Sequence, residues 1–364
     1  MDPTYIEIEP TRGCNLRCRM CHVSFMKEPV AYLDLDKVDF SFLKPGTLVT
    51  LGAVFEPCIH PQINKLIDIL NRRGCRIVLI TNGHNLHKKE IPALFDSNLE
   101  MVTFSFDGIS KETYELIRVG GNYERTLDNI ENFRAALSGS DATFAVNFTV
   151  LRCNLHEVAD APAFWEKRDF DVLRFIAMTV REPDEFILKN SLWEVRQDYF
   201  AALDRAADYV RQNKSRLLIT SPYFQSKLGV ENGIVASGHS GSRFPRLYPR
   251  EYQYGADHGM RFPCKSPFVA ARILWEGSVM LCHNQRIGNL YETPFAALWD
   301  SRDAWKLRTV VRMTDQLCNR CDYFRLCLNS HFVDLDRIEN YYSQPMLDRI
   351  AQTRTAQSQV AASA

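Results

Sequence analysis

From residue 4 to about residue 213, short apolar, β-prone runs alternate with longer segments in which apolar residues recur every three or four positions. That alternation predicts repeated βα units around a parallel sheet. Six strands are expected, at Thr4 to Glu9, Leu48 to Leu51, Arg76 to Thr81, Met101 to Phe106, Thr143 to Leu151 and Val172 to Met178. Between them, Ile63, Leu66, Ile67 and Leu70 form one helical stripe, and Tyr123, Leu127, Ile130, Phe133 and Leu137 form another. Leu192, Val195, Tyr199, Leu203, Ala206 and Val210 mark a long sixth helix. Such stripes are helix faces turned to a core. Six units are too few to close an eight-stranded barrel, which leaves an open, partial α/β barrel or a doubly wound sheet. In either case ligands gather at the carboxyl ends of the strands.

Beyond the sixth helix the periodicity fails. Residues 221 to 263 are rich in Gly, Pro, Tyr, Arg and His, a composition of loops rather than of a packed layer. The expected division is a core over 1–213, a connecting, substrate-side segment over 214–263, a cysteine-bearing region over 264–345, and a disordered tail over 346–364. Lys plus Arg equals Asp plus Glu at 44 each, so no broad field would recruit nucleic acid or an anionic membrane. No stretch approaches the ~20 apolar residues of a membrane span, and Met1-Asp2-Pro3 does not begin a secretion signal. A cytoplasmic protein is expected.

The cysteines change the picture. There are 11, an odd number, and they cluster: three within residues 14 to 21 and five within residues 264 to 327. This favours metal over a disulfide framework. Cys58, Cys75 and Cys153 are scattered, as small buried hydrophobes are. The first group, Cys14-Asn-Leu-Arg-Cys18-Arg-Met-Cys21, is a C-x3-C-x2-C pattern on the loop after the first strand. Zinc would want a fourth ligand, for which only His22 is adjacent. Three thiolates can instead hold three corners of a [4Fe-4S] cube and leave one iron open to a substrate, where electron-transfer clusters use four.

This spacing, directly after strand one of a βα series, resembles the radical SAM superfamily. The resemblance implies that the open iron binds the amino and carboxylate groups of S-adenosylmethionine (SAM), and that one electron splits the sulfonium to a 5'-deoxyadenosyl radical. Met20 stands where the family usually has an aromatic residue near adenine. Gly52-Ala-Val-Phe-Glu56-Pro57 resembles the family's Gly-Gly-Glu-Pro loop, which receives the SAM ammonium, with Val54 and Phe55 in place of the two glycines. Thr81-Asn82-Gly83 is similar to the family's Thr-Asn-Gly. Ser105-Phe-Asp107-Gly108 with Arg118 downstream resembles its Ser-x-Asp-Gly and arginine, implying a hydroxyl and a guanidinium against the polar end of SAM. By the same resemblance, Asn147 and Met178 fall beside ribose and adenine.

The second group runs Cys264, Gly277-x4-Cys282, Gly288-Asn289-Leu290, Trp299, Cys318-x2-Cys321 and Cys327. Alone, it reads equally as a zinc ribbon. In this order it closely resembles the SPASM/twitch auxiliary-cluster domain of radical SAM enzymes. A full SPASM set continues with further cysteines, whereas here the next position is His331 and no cysteine follows Cys327. The resemblance therefore implies a partial barrel followed by a small SPASM/twitch domain with at least one auxiliary [4Fe-4S] cluster. Its first-choice ligands are Cys264, Cys282, Cys318 and Cys321, with Cys327 and His331 as spare or exchange ligands.

Such an enzyme abstracts hydrogen from an unactivated carbon, and position supplies most of its selectivity. Oxidation or epimerisation of a small polar metabolite, sugar-like or cyclitol-like, is the first expectation, because strand one begins at residue 4 and leaves no room for a peptide-recognition domain. Modification of a peptide is the alternative. A reductant of ferredoxin or flavodoxin type is implied. Cys153 and Cys58, just past strands five and two, are the candidate hydrogen donors.

Overall fold

A computed structural model describes residues 2–88, 98–178, 184–192, 194–221, 234–235, 266–282 and 285–309. Its strands are β1 (Tyr5–Ile8), β2 (Thr11–Arg12), β3 (Ala31–Tyr32), β4 (Leu48–Leu51), β5 (Arg76–Thr81), β6 (Leu99–Ser105), β7 (Thr143–Val150), β8 (Val172–Ala177), β9 (Leu218–Thr220), β10 (Ile234–Val235), β11 (Ala270–Ile273), β12 (Ser278–Cys282) and β13 (Gln285–Asn289). The helices of the core are α1 (Ile63–Arg72), α2 (Lys111–Ile117), α3 (Tyr123–Ala136), α4 (Ala161–Glu166), α5 (Glu185–Lys189) and α6 (Arg196–Gln212). Short helices at Ser266–Val269, Phe295–Trp299 and Arg302–Thr309 follow.

The six strands expected from the sequence lie side by side as β1, β4, β5, β6, β7 and β8, every neighbouring pair parallel. The sheet continues past both of them. On one side β9 adds a parallel strand to β8, so the βα series runs on past residue 213. On the other, β11 pairs parallel with β1, Tyr5 opposite Ala270 and Ile8 opposite Ile273. β12 and β13 then extend that edge antiparallel, and β10 caps the other. The result is one open sheet of 11 strands whose end strands, β10 and β13, do not pair with each other. The first hairpin of the C-terminal cysteine region thus joins the core sheet through β11.

Strand alternation divides the sheet into two faces. Ile6, Ile8, Val49, Leu51, Ile77, Leu79, Val102, Phe104, Val146, Phe148, Leu173 and Phe175 belong to the main core with the helix stripes. Ile63, Leu66, Ile67 and Leu70 of α1 are fully buried there, as are Ile130 and Phe133 of α3 and Leu203, Ala206 and Val210 of α6. Leu192 and Val195 join that core from just ahead of α6, which begins one residue after Val195. The opposite face carries a small apolar cluster of Met101, Ala145, Val172 and Leu218. By the same alternation, Glu7, Thr50, Thr103, Ser105, Asn147 and Arg174 lie on that second face. Parallel strands covered on both sides usually read as near-continuous apolar runs. So polar a face marks where a polar ligand can sit.

Among the described residues no helix is long and apolar enough to cross a membrane. Cys264, Cys318, Cys321, Cys327 and His331 lie outside the described residues, as do the tail over 346–364 and the aromatic and basic positions over 222–263. Cys282 closes β12, with its side chain outside the description.

Candidate active site

The cysteine loop leaves β1 and is tied to its surroundings by backbone hydrogen bonds. The Arg17 amide donates to the Val119 carbonyl (2.8 Å) and the Arg19 amide to that of Ile117 (2.9 Å), while the Glu56 amide donates to the Gly13 carbonyl (3.1 Å). The loop therefore rests between the end of β4 and the end of α2. Cys14, Cys18 and Cys21 are unbridged thiols, Cys18 buried and the others half-buried.

Donors face the sulfurs. The Leu16 amide and Asn82 Nδ2 each donate to Cys14 Sγ at 3.4 Å, and Arg118 Nη1 points at Cys18 Sγ from 4.0 Å. Burial pushes the Cys14 thiol up to about 11, with the Glu56 carboxylate adding to the shift. It pushes Cys18 up to about 12 against the opposing Arg118, and raises Cys21 as well. Buried thiols of this kind become thiolates when a cation arrives to hold them.

Two further donors, Asn15 Nδ2 beside Cys14 and Arg118 Nε, are buried without a partner among the described residues. Thiols ringed by N–H groups, with spare buried donors alongside, fit an anionic thiolate cluster and its ligand. No group of three or more His, Cys, Asp or Glu side chains among the described residues converges where one metal ion could sit. Thiols that take separate corners of a cube need not converge.

Glu56 is a hub. Its Oε1 accepts from the Cys58 amide (3.0 Å) and the Thr81 hydroxyl (2.7 Å), its Oε2 from the Asn82 amide (2.7 Å), and its carbonyl from the Thr11 hydroxyl (2.9 Å). A carboxylate has about four acceptor positions. Three are filled by the protein, which leaves at most one for the SAM ammonium expected at this loop. Burial raises its pKa against those donors.

Arg118, whose guanidinium was expected against the polar end of SAM, pairs with Asp107 at 2.7 Å, both almost fully buried. Asp107 also accepts from the Thr149 amide at 2.7 Å. Burial pushes the Asp107 carboxyl up against Arg118. Burial disfavours the Arg118 charge too, but Asp107 and Cys18 outweigh it and raise its pKa.

Met20, Met178 and Cys153 meet in one apolar cluster with Ile117, Leu151 and Ile187. Ser105 and Asn147 stand opposite one another across β6 and β7, and Arg174 Nη1 donates to Asn147 Oδ1 (2.9 Å). Cys58, in the turn after β4, belongs to the main core at 3% exposure. Cys153 is half-buried beside Met20.

Sequence reasoning missed Glu9. Its Oε1 accepts from the amides of Ala53 (3.0 Å) and Val54 (2.8 Å), and its Oε2 from that of Phe55 (3.3 Å). Arg272 of β11 bridges it to Glu7, at 2.8 and 2.6 Å. The signal was present: Tyr5-Ile-Glu-Ile-Glu9 alternates within a strand of a parallel sheet, which places two acids on an enclosed face. The loop they hold starts at Gly52, φ +72°, where a Cβ would lie 2.6 Å from Pro57 Cδ. Only glycine fits there.

Two family models match the chain, and between them they cover more than half of it. The radical SAM superfamily model matches residues 8–158, and SPASM, an iron–sulfur cluster-binding domain, matches residues 264–322. The chain is similar to the AdoMet-dependent heme synthase of Methanosarcina barkeri, 26% identical over 346 residues that cover 89% of this chain and 90% of the relative. It is 23% identical to the protein of that name in Nitratidesulfovibrio vulgaris, covering 88% of this chain and 84% of the relative. Among solved structures, anSMEcpe with bound AdoMet superposes with a TM-score of 0.58 at 19% identity, covering 89% of this chain and 87% of the other. Streptococcus suis SuiB bound to S-adenosylmethionine gives 0.57 at 15% identity, covering 92% and 77%. At such identities the structures speak for the fold alone. The family models speak for the chemistry: the chain belongs to the radical SAM superfamily, an enzyme that works with SAM and a SAM-binding [4Fe-4S] cluster and carries a C-terminal SPASM domain for auxiliary iron–sulfur.

Proposed function

We propose that Cys14, Cys18 and Cys21 hold the SAM-binding cluster, and that the polar face of the sheet between β1 and β9 receives the substrate. The observation that carries this reading is the setting of the three thiols. They share one loop, and Asn82 after β5 and Arg118 after α2 hold two of them from separate elements. When bound, the cluster and SAM supply a 5'-deoxyadenosyl radical that takes hydrogen from an unactivated carbon.

The chain's own residues bind, orient and exclude water. Glu56 keeps the loops after β4 and β5 at a fixed separation. Asp107 holds Arg118 toward the cysteine loop. Met20 and Met178 offer soft apolar surface for adenine, and Ser105 and Asn147 offer a hydroxyl and an amide for ribose. Cys264, Cys282, Cys318 and Cys321 are assigned to an auxiliary [4Fe-4S] cluster, with Cys327 as a further ligand. A ferredoxin-type or flavodoxin-type carrier in a reducing compartment such as the cytoplasm supplies electrons.

For the substrate, a small molecule is favoured over a peptide. The full-length relatives bear the name of a heme synthase, which favours a haem-type tetrapyrrole over the sugar or cyclitol first expected. Of the two candidate hydrogen donors for an epimerisation, Cys153, half-buried beside Met20, is better placed than Cys58, which lies in the core. The test is anaerobic incubation of the reconstituted enzyme with SAM, reductant and a panel of iron-porphyrin, cyclitol and peptide candidates. A tetrapyrrole that raises 5'-deoxyadenosine above the substrate-free rate supports the reading; stimulation only by a cyclitol or a peptide overturns its substrate half.

A further inference from the structure

Where the family's loop has two glycines, this chain has Val54 and Phe55, and their side chains must be accommodated while their amides are spent elsewhere. Three successive amides, Ala53 to Phe55, all donate to one fully buried carboxylate, Glu9. The Phe55 ring packs edge-to-face with Trp275 at 5.2 Å, and the Arg12 guanidinium lies over the Trp275 ring, 5.4 Å from its centroid. Arg272, three residues before Trp275, reaches both Glu7 and Glu9.

A buried carboxylate needs a counter-charge as well as hydrogen bonds. Among the described residues, Glu9 finds its counter-charge across the seam between β1 and β11. Both Arg272 and Trp275 fall within residues 264–322, the span of the iron–sulfur domain.

We infer that Glu9 and Arg272 are a positioning pair that shapes the 52–56 loop, so that a strand of the iron–sulfur domain sets how the SAM-binding loop is held. This rests on the reading that the loop meets SAM. Glu9 fixes the direction of three amides, Arg272 fixes Glu9, and Trp275 fixes the Phe55 side chain. Glu56, the next residue, is delivered to Thr81 and Asn82 by the same constraint.

The test uses the full chain with its clusters reconstituted. Glu9→Gln keeps length and one acceptor but puts an NH2 group against the Phe55 amide or, with the side-chain amide turned over, against the donors of Ala53, Val54 and Arg272. Arg272→Lys keeps the charge but loses the fork that spans two carboxylates. In both variants hydrogen exchange at the Ala53 to Phe55 amides should speed by about tenfold or more while β7 amides stay protected. The SAM dissociation constant should rise about tenfold, the scale of one charged hydrogen bond, at unchanged iron content. Trp275→Leu should loosen the same three amides by a smaller factor. Unchanged exchange at those amides in Glu9→Gln and Arg272→Lys, or unchanged SAM affinity in both, overturns the inference. A wild-type chain that binds no SAM overturns the reading of the loop instead, and the exchange data still decide whether the pair shapes it.

Discussion

At the scale of single residues, the site is governed by charges removed from water and given specific partners. One guanidinium, Arg272, serves two buried carboxylates, and burial pushes Glu7 up to about 7 with Arg272 opposing and Glu9 adding. Burial raises the Glu9 carboxyl too, with Arg272 and the loop amides it collects opposing the rise. The folded chain thus holds the Glu7 proton more tightly than the unfolded chain, whose carboxyl titrates near 4.5. Below that pH both states are protonated and Glu7 contributes nothing. As pH rises from about 4.5 to about 7, stability falls by up to about 3 kcal/mol, since one pKa unit is worth about 1.4 kcal/mol. Glu7→Gln should remove that fall, and chemical melts of both proteins across the window would show it; parallel curves would refute it. Asp107 and Arg118 make the second case. Removing one member strands a buried charge, so Arg118→Met should cost about 3–5 kcal/mol. Adding Asp107→Asn should recover part of the loss, read as the coupling term of a double-mutant cycle.

At the scale of elements, the loops at the strand ends are held by side chains of their neighbours rather than by their own propensities. Gly52→Ala should destabilise by about 1–3 kcal/mol from its φ of +72° and the Pro57 contact. It should also weaken SAM binding; thermal melts and equilibrium dialysis together would measure both. The six core strands and their helix stripes were legible because period-two and period-3.6 patterns are local. β9 escaped because Leu218–Thr220 is three residues long, too short for any period. β11 escaped because its pairing with β1 joins opposite ends of the chain, and Ala270-Ala-Arg-Ile273 carries no local sign of a partner. The cysteine loop was legible from spacing alone. Arg118 and Asp107 were legible as a motif, but that each would satisfy the other depends on geometry across β6 and α2 that spacing does not encode. The same holds for Glu56, whose carboxylate accepts from Thr81 and Asn82 at the end of β5 as well as from its own turn at Cys58.

At the scale of the whole molecule, the C-terminal region is built into the core. Besides β1 with β11, Phe42 stacks on Phe295 at 4.2 Å, and the Asp34 amide donates to the Tyr291 hydroxyl at 2.8 Å. A chain cut after residue 263 would expose the β1 edge and leave Glu7 and Glu9 without Arg272. It should therefore aggregate or lose SAM binding although all three N-terminal cysteines remain; a monomeric fragment with full SAM affinity, by sedimentation and dialysis, would contradict this. The central claim, that the N-terminal loop makes this chain a source of carbon radicals, has its most direct test in 5'-deoxyadenosine. Anaerobically reconstituted protein given SAM and a low-potential reductant should form it, and a variant with Cys14, Cys18 and Cys21 all replaced by alanine should form none. Equal amounts from both proteins, or none from the wild type with its iron in place, would contradict the account.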